Sequence, residues 1–447
     1  MNGDADQSGQ PGGRRGRSRR LLALATGAAL GLAAAGVAVA QTVSADSVRG
    51  KARPDFAALG IESGQLLGLH HNGEAPGGLL DSFLVYPVFE TAATYDSNVF
   101  RVDDGDAQGD FITDLRPSLR VESDWDNHFF AVEANGTARR HASLTNEDTT
   151  TWTLSNDGQI DLNEWTDLLT FLSFDSNTTQ RGTLLDPGLT SSPTRFYTTT
   201  AKTALTYQRD ALLLRLAFDV VRTNFENNGA VTNADLDRTE RFAELRAAYD
   251  LVDGLQVFVA PGYKTVRYDR QFDGGGVERD SDTLRVETGV VWEATGVAEL
   301  RLRLGWFSRD SHGAIFRDAT GFRVGGDLLW NLSEITTLSA SLDQEIAEEA
   351  LRRASSISRV DRTSVRVSLD HEPLDDVIMT GRTAIVFDEF IGANQSQRTL
   401  TVGGDVTYYV NERWLLELTA ERGKRTTEGG GTPYVYDLLS TALRYRI

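Results

Sequence analysis

The 447-residue chain has no cysteine, so it can form neither disulfides nor thiolate metal sites. Lysine is almost as scarce, at positions 51, 202, 264 and 424 only, and the basic side chains are therefore nearly all arginine, which suits paired and partly desolvated positions. The mean hydropathy of −0.30 is too low for a bundle of membrane helices. A formal charge of −19 excludes nucleic-acid binding through bulk electrostatics.

The one long apolar run, Leu21 to Ala40, follows a basic segment from Arg14 to Arg20 and ends on Ala38-Val39-Ala40. A basic segment, an apolar core and an A-x-A tripeptide are typical of a secretory signal peptide. A membrane anchor is the alternative, because about 20 apolar residues could just span a bilayer. The small residues favour cleavage. We predict a signal peptide over 1–40, followed by a short, largely irregular periplasmic lead segment over 41–82.

Alternation of apolar and polar residues dominates the chain from Phe83 onward, in runs of about 10–14 residues. The last run, Tyr434 to Ile447, sets Leu439, Leu443 and Tyr445 against polar neighbours and continues to the final residue. A membrane β-barrel has good reason to end in this way, since its final strand must pair with the first and leave no edge in lipid.

Links between these runs alternate between short turns and longer polar stretches, the last two of which are predicted around 388–397 and 423–433. Eight short and nine long links predict about eighteen strands (sixteen is the alternative), with both ends on the short-turn side. The tryptophans fall near strand ends, as aromatic girdles at the two membrane interfaces require. The sequence therefore predicts an all-β fold: a transmembrane up-and-down antiparallel barrel over residues 83–447 in the outer membrane. Lipid and the barrel-assembly machinery are its expected partners, and nucleic acid is not.

Two short motifs carry a family resemblance: Tyr86-Pro87-Val88, and Tyr95-Asp96-Ser97-Asn98-Val99-Phe100. Together with Arg53-Pro54-Asp55-Phe56 and Leu115-Arg116-Pro117, they resemble the putative β-barrel porin type 2 family. That resemblance implies an outer-membrane barrel of a Gram-negative bacterium. Several family members are linked to exopolysaccharide export, so it also implies polysaccharide export components as partners. Ile447 replaces the aromatic residue often found at the end of such chains.

Candidate catalytic and metal-binding groups are few. His70-His71 has no further ligand nearby, and the acidic run from Asp103 to Asp110 lacks the spacing of an EF-hand, so solvated side chains are the favoured interpretation of both. The six histidines lie outside strands or at strand ends, without a partner for nucleophilic catalysis. We expect no enzyme, no cofactor and no metal site.

Charged residues that alternate with the apolar rows are the remaining functional candidates, because they would face the barrel interior. The simpler interpretation is cross-strand pairing that stabilises the wall; the sharper one is an arginine row facing acids across a constriction, which would select solutes. A passive channel for solutes or for polysaccharide export is the leading hypothesis. A structural or adhesive barrel that displays loops is the alternative, and an outer-membrane enzyme comes third. The predicted pore-lining residues are Arg116, Arg120, Arg215, Arg285, Glu287, Arg301, Arg303, Arg323, Asp327 and Arg382.

Overall fold

The computed structural model describes residues 78–80, 82–125, 127–183, 191–229, 231–272, 276–294, 297–314, 316–347, 357 and 359–446. The predicted signal peptide, most of the predicted lead segment and Ile447 lie outside these residues. No helix in the described part of the chain is long and apolar enough to cross a membrane.

Eighteen long antiparallel strands form one closed barrel, which confirms the predicted fold class and the count of eighteen rather than sixteen. A three-residue strand, β1, precedes them within the predicted lead segment and pairs with the start of β2. The strands are β1 Gly78–Leu80, β2 Phe83–Asp96, β3 Asp110–Ser123, β4 Phe129–His141, β5 Thr149–Asn163, β6 Thr166–Thr178, β7 Arg195–Arg209, β8 Leu212–Phe225, β9 Arg238–Val252, β10 Leu255–Tyr268, β11 Ser281–Ala294, β12 Ala298–Ser311, β13 Ala319–Ser333, β14 Thr336–Ile346, β15 Arg359–Leu374, β16 Val377–Ile391, β17 Gln395–Tyr409, β18 Trp414–Glu428 and β19 Tyr434–Arg446.

The barrel closes where β19 pairs with β2, from Leu438 opposite Asp96 to Arg446 opposite Val88. β1 pairs with β2 from Phe83 to Val85, so it continues the sheet beside the part of β2 that β19 does not reach. The described edge of β2 is thereby covered at the short-turn end. A closed ladder leaves no strand edge to be satisfied by lipid, which is the condition for a membrane-spanning sheet.

Links at the two ends of the barrel differ in length, as the sequence predicts for most of the chain. At one end, strands are joined by tight turns such as Glu164-Trp165 and Asp253-Gly254, and at the other by links such as 97–109 and 179–194. Two predicted long stretches, 388–397 and 423–433, are wrong. There β16 to β19 extend further and join through residues 392–394 and 429–433, where Gly392 and Gly429 to Gly431 have positive φ and allow tight reversals.

The two faces of every strand differ in exposure. Along β3, Phe111, Leu115 and Leu119 are exposed, whereas Asp114 is buried and Arg116 half-buried between them. Period-2 alternation turns the apolar row toward lipid and the charged row toward the interior. Exposed aromatic residues cluster toward both ends of the outer surface, with Trp306 further inside its strand than the sequence predicts. At the long-link end they include Tyr95, Phe111, Trp152, Tyr197, Tyr263, Trp306, Phe322 and Phe387, and at the short-turn end Phe89, Trp125, Trp165, Tyr249, Trp292, Trp330, Tyr408 and Trp414.

The motif Tyr95 to Phe100, which carries part of the family resemblance, has a structural role at the seam between β2 and β19. Asp96 accepts two hydrogen bonds from Arg101 at 2.8 Å and one from the Asn98 backbone at 2.9 Å. The fully buried amide of Asn98 donates to the carbonyl oxygens of Val102 and Val435. The motif therefore fixes the β2–β3 link against β19.

Candidate pore

All ten predicted pore-lining side chains lie on the inward face of their strands, where Asp327 is buried and the other nine are half-buried. Each alternates with an outward neighbour, as Arg301 and Arg303 do with Leu302 and Leu304, which are both 50% exposed. Inward placement follows from the period-2 alternation of each strand, and contact of these groups with a permeating solute stays a prediction.

Ion pairs along the wall engage at least seven of the ten. Arg116 contacts Glu90 at 2.5 Å and Asp114 at 2.6 Å. Arg120 lies among three carboxylates, at 3.1 Å from Glu122, 3.0 Å from Glu133 and 3.3 Å from Asp157. Three of these five partners, Glu90, Glu133 and Asp157, lie on other strands, so the network links strands side by side and holds the guanidinium groups against the wall.

A second set of pairs lies on β9 to β17. Arg303 bridges two carboxylates on different strands, Asp327 at 2.9 Å and Asp343 at 2.8 Å. The remaining pairs are Arg285 with Glu244 at 2.7 Å, Arg301 with Glu299 at 3.3 Å, and Arg382 with Asp405. The charges therefore pair across strands, as the simpler interpretation of the sequence predicts, whereas an arginine row facing acids across a constriction stays a prediction.

Basic groups concentrate on the inward side of β8 to β12. Arg215 lies directly opposite Arg246 in the β8–β9 ladder, and Arg301 is close enough to Arg246 to interact with it electrostatically. Glu244 and Glu287 are the acids within range of Arg246. Like charges held side by side create a local positive potential that a permeating anion would encounter.

Four inward aromatic rings lie close against glycines of the adjacent strand, and each has an arginine guanidinium over it. The Phe242 ring covers Gly262 and the guanidinium of Arg285 lies 3.9 Å from its centroid. Phe258 covers Gly289 and carries Arg246 at 3.6 Å. Phe307 with Gly321 and Arg323, and Tyr436 with Gly423 and Arg101, repeat the arrangement. Without a Cβ beneath it, each ring stays close to the wall, and cation–π contact keeps the arginine there as well.

The Phe242 ring over Gly262, with Arg285 on it, forms a platform on the inner wall. Replacing Gly262 with Val should push this platform into the barrel interior. A Cβ at Gly262 would lie 2.8 Å from the Phe242 ring and 3.1 Å from Nε of Arg285, so both side chains must move inward. We expect lower single-channel conductance and a loss of about 1–3 kcal/mol in stability from overpacking. Gly305→Val is the matched control, because the nearest side-chain atom there is 3.8 Å away. Equal conductance in the two variants would contradict the role of the platform.

The long-link end is partly covered by the β6–β7 link. Arg181 forms a bidentate pair with Glu147 at 2.9 and 2.6 Å, and both side chains are nearly buried. The next residue, Gly182, accepts a hydrogen bond from Arg425 on β18 and would place a Cβ 3.2 Å from Tyr434 on β19. Because β18 and β19 lie across the seam, several strands away from β6, the described start of this link, residues 179–183, must cross part of the barrel entrance.

Several residues of this site are missing from the sequence prediction. Glu90 binds both Arg116 and Arg444, and Arg181, Gly182 and Arg425 organise the entrance. Glu90 does sit in an apolar–polar alternation, which marks it as inward-facing. Nothing in the local sequence indicates its partner on the last strand, 354 positions away.

Potential metal ligands converge at one place among the described residues, where single ligand atoms of Glu278, Asp280 and His312 lie within 4.8 Å of one another. His312 Nε2 is already 2.8 Å from Asp282, and Asp280 accepts a hydrogen bond from the Tyr268 backbone. In the acidic run, Asp110 accepts backbone hydrogen bonds from Ser143 and Leu144, which assigns it a structural role in joining two links. His70-His71 lies outside the described residues.

Comparison with known proteins gives a family match and distant structural neighbours. The family model described as putative beta-barrel porin 2 matches residues 73–446. Among solved structures, OpdK of Pseudomonas aeruginosa is similar at 11% identity with a TM-score of 0.43, covering 81% of this chain and 98% of that one. Pseudomonas aeruginosa OpdO is similar at 16% identity and 0.44, covering 81% and 97%. A BenF-like porin from Pseudomonas fluorescens Pf-5 is similar at 10% and 0.45, covering 83% and 100%.

Among the curated proteins compared with the chain, none matches. The family model, in contrast, spans the whole barrel from β1 to the end of β19. With the apolar outer surface and the closed eighteen-strand ladder, this match means that the chain is an outer-membrane protein and belongs to the putative beta-barrel porin 2 family.

Proposed function

We propose that the barrel is a water-filled, porin-like channel that carries small hydrophilic solutes passively across the outer membrane. The observation that carries this proposal is the charged inward face on all sides of a barrel too wide to be filled by its own side chains. Arg366 supports it, because this arginine is exposed although it faces inward between Ser341 and Ala384. An exposed inward guanidinium needs water inside the barrel.

We propose sugar chains as the solutes of this channel. Inward positions on β5 to β7 carry Thr149, Thr151, Thr153, Ser173, Thr198 and Thr200. Hydroxyl groups on one side, opposite a wall of arginine and carboxylate, can exchange hydrogen bonds with the hydroxyls of a passing saccharide. This composition supports carbohydrate passage, including export of a polysaccharide.

Conductance in planar lipid bilayers tests the channel directly. Purified, folded protein should give stepwise ion currents, and addition of a permeating oligosaccharide should interrupt them in a concentration-dependent way. A folded barrel that stays electrically silent would instead support a structural barrel that only displays its links. Steady currents that oligosaccharides never interrupt would support the channel but contradict the proposal that carbohydrate passes through it.

Neutralising Arg301 and Arg303 to Gln should make the channel more selective for cations. Removal of Arg303 leaves Asp327 and Asp343 without their shared counter-charge, so the local potential becomes more negative. One unit charge at contact distance in water is worth about 1 kcal/mol, which corresponds to roughly a twofold to fivefold rise in the cation-to-anion permeability ratio at moderate salt. Reversal potentials under a salt gradient measure this ratio.

Arg195→Gln is the control for selectivity, because Arg195 faces outward and contacts only the Thr150 carbonyl among the described residues. It removes one positive charge from the outer wall, where the double variant removes two from the interior. An equal change in reversal potential for Arg195→Gln would show that the effect is not a property of the interior.

A further inference from the structure

Outward-facing cations are distributed very unevenly between the two ends of the barrel. Among the described strand residues, nine lie toward the long-link end and one, Arg209, lies at the short-turn end. The nine are Arg140, Arg195, Arg222, Arg241, Arg267, Arg359, Arg398, Arg422 and Lys424. In outer-membrane barrels the short turns face the periplasm, so these cations sit in the outer leaflet.

Three of these cations form a patch on neighbouring strands, defined by Arg398 on β17 with Arg422 and Lys424 on β18. The ladder pairs Arg398 with Thr426, Leu400 with Lys424 and Val402 with Arg422, so the three side chains occupy consecutive outward levels. All three are exposed. Asp437 approaches Arg422 at 3.3 Å, but both groups are more than half exposed, and such a pair contributes little.

An apolar groove lies directly beneath the patch on the outer wall. Its volume is about 290 Å³, and its lining includes Tyr95, Ala420, Arg422, Asp437 and Leu439. In the ladder Ala420 lies opposite Leu439, and Leu439 lies opposite Tyr95. Leu439 therefore lies between Ala420 and Tyr95, and the small side chain of Ala420 leaves space on the outer wall beside Leu439.

The height of the patch matches the headgroup layer. The ring of Tyr95 packs on that of Phe111 at 5.1 Å, and both belong to the exposed aromatic residues that mark the membrane interface. Arg422 lies one outward position above Ala420, on the side away from the bilayer centre. A ligand that spans patch and groove must therefore have an anionic head at the interface and a hydrocarbon chain below it.

We propose that the patch and the groove form a binding site for one phosphorylated lipid of the outer leaflet. The arginine forks and the lysine ammonium hold the phosphate, since guanidinium groups match phosphate oxygens in bidentate geometry. An acyl chain occupies the groove over Ala420, along Leu439 and Tyr95. The site depends on the outer-membrane location of the barrel and is independent of conduction.

Binding of bisphosphorylated lipid A by the full-length protein in mixed detergent micelles tests the proposal. A triple variant, with Arg398→Gln, Arg422→Gln and Lys424→Gln combined, should weaken lipid binding by roughly tenfold or more, because each cation near an anionic headgroup contributes to the binding free energy. Arg209→Gln, which removes an outward cation at the opposite end, should leave the affinity unchanged. Equal affinity of the triple variant and the unmodified chain would overturn the proposal.

Two further measurements distinguish the contribution of the acyl chain to binding from that of the phosphate. Ala420→Phe fills the groove without changing charge, so it should weaken lipid A binding while the barrel remains folded. Dephosphorylated lipid A should bind no better to the unmodified chain than to the triple variant. If inorganic phosphate alone displaced the lipid at comparable concentration, the patch would be a phosphate site and the lipid assignment would be wrong.

Discussion

Replacing Glu90 with Gln should lower the free energy of unfolding by about 3–5 kcal/mol, because it breaks a buried ionic contact at the seam of the barrel. Glu90 is 3% exposed and accepts hydrogen bonds from Arg116 on β3 at 2.5 Å and from Arg444 on β19 at 2.7 Å. Gln keeps the shape of the side chain but removes its charge. Arg116 retains Asp114, whereas Arg444 loses the only ion-pair partner that it has among the described residues.

Urea unfolding of the protein in detergent or lipid, followed by tryptophan fluorescence, measures this loss. Asp210→Asn is the matched control, since its pair with Arg209 is 3.9 Å long and both side chains are largely exposed. Exposed pairs contribute about 0–1 kcal/mol. A double-mutant cycle with Arg444→Gln then isolates the energy of the seam contact. If Glu90→Gln cost no more than Asp210→Asn, the ionic contact would not stabilise closure.

The fold could be predicted from the sequence because its determinants are local. Period-2 alternation within each run fixes which residues face lipid, and turn lengths fix strand order in an up-and-down barrel. Both properties need no knowledge of distant residues. The two incorrectly predicted links have a local cause as well: Gly392 and Gly429 to Gly431 permit tight reversals, so the polar segments there continue the strands instead of forming long links.

Partners within the site could not be predicted, because they depend on register and closure rather than on spacing along the chain. Inward placement of Arg303 follows from alternation, but its bridge to Asp327 and Asp343 needs the registers of β12 to β14. The Glu90–Arg444 contact exists only after the first and last strands meet. Sequence patterns therefore give the composition of the wall, and closure decides which charges neutralise one another.

The course of the β6–β7 link at the barrel entrance is the clearest example of a feature that local sequence patterns do not predict. The β6–β7 link appears in the sequence as one long polar stretch among several, without a sign of its direction. Its course over the entrance depends on Gly182, whose φ of +73° suits glycine and whose missing side chain allows close approach to Arg101 in the β2–β3 link. A Cβ there would lie 2.5 Å from Cβ of Arg101.

Replacing Gly182 with Val should release this link and widen the entrance without changing any charge. Positive φ costs a branched residue about 1–2 kcal/mol, and the overlap with Arg101 adds about 1–3 kcal/mol. Together these two costs shift the equilibrium away from the position in which Gly182 packs against Arg101, the seated position, by roughly 30-fold or more, since each 1.4 kcal/mol is a factor of ten. Larger and noisier single-channel currents should result, with faster proteolysis of the link between β6 and β7.

Gly229→Val supplies the matched control for the entrance. Gly229 also has positive φ, at +58°, but no atom of the described residues lies within 4 Å of the place that a Cβ would occupy, so the substitution strains the backbone without removing a contact. Its currents should resemble those of the unmodified chain. Faster proteolysis of Gly182→Val with unchanged current would show that the link is seated by Gly182 but does not restrict passage, because the link's release and the width of the conducting path are read out separately.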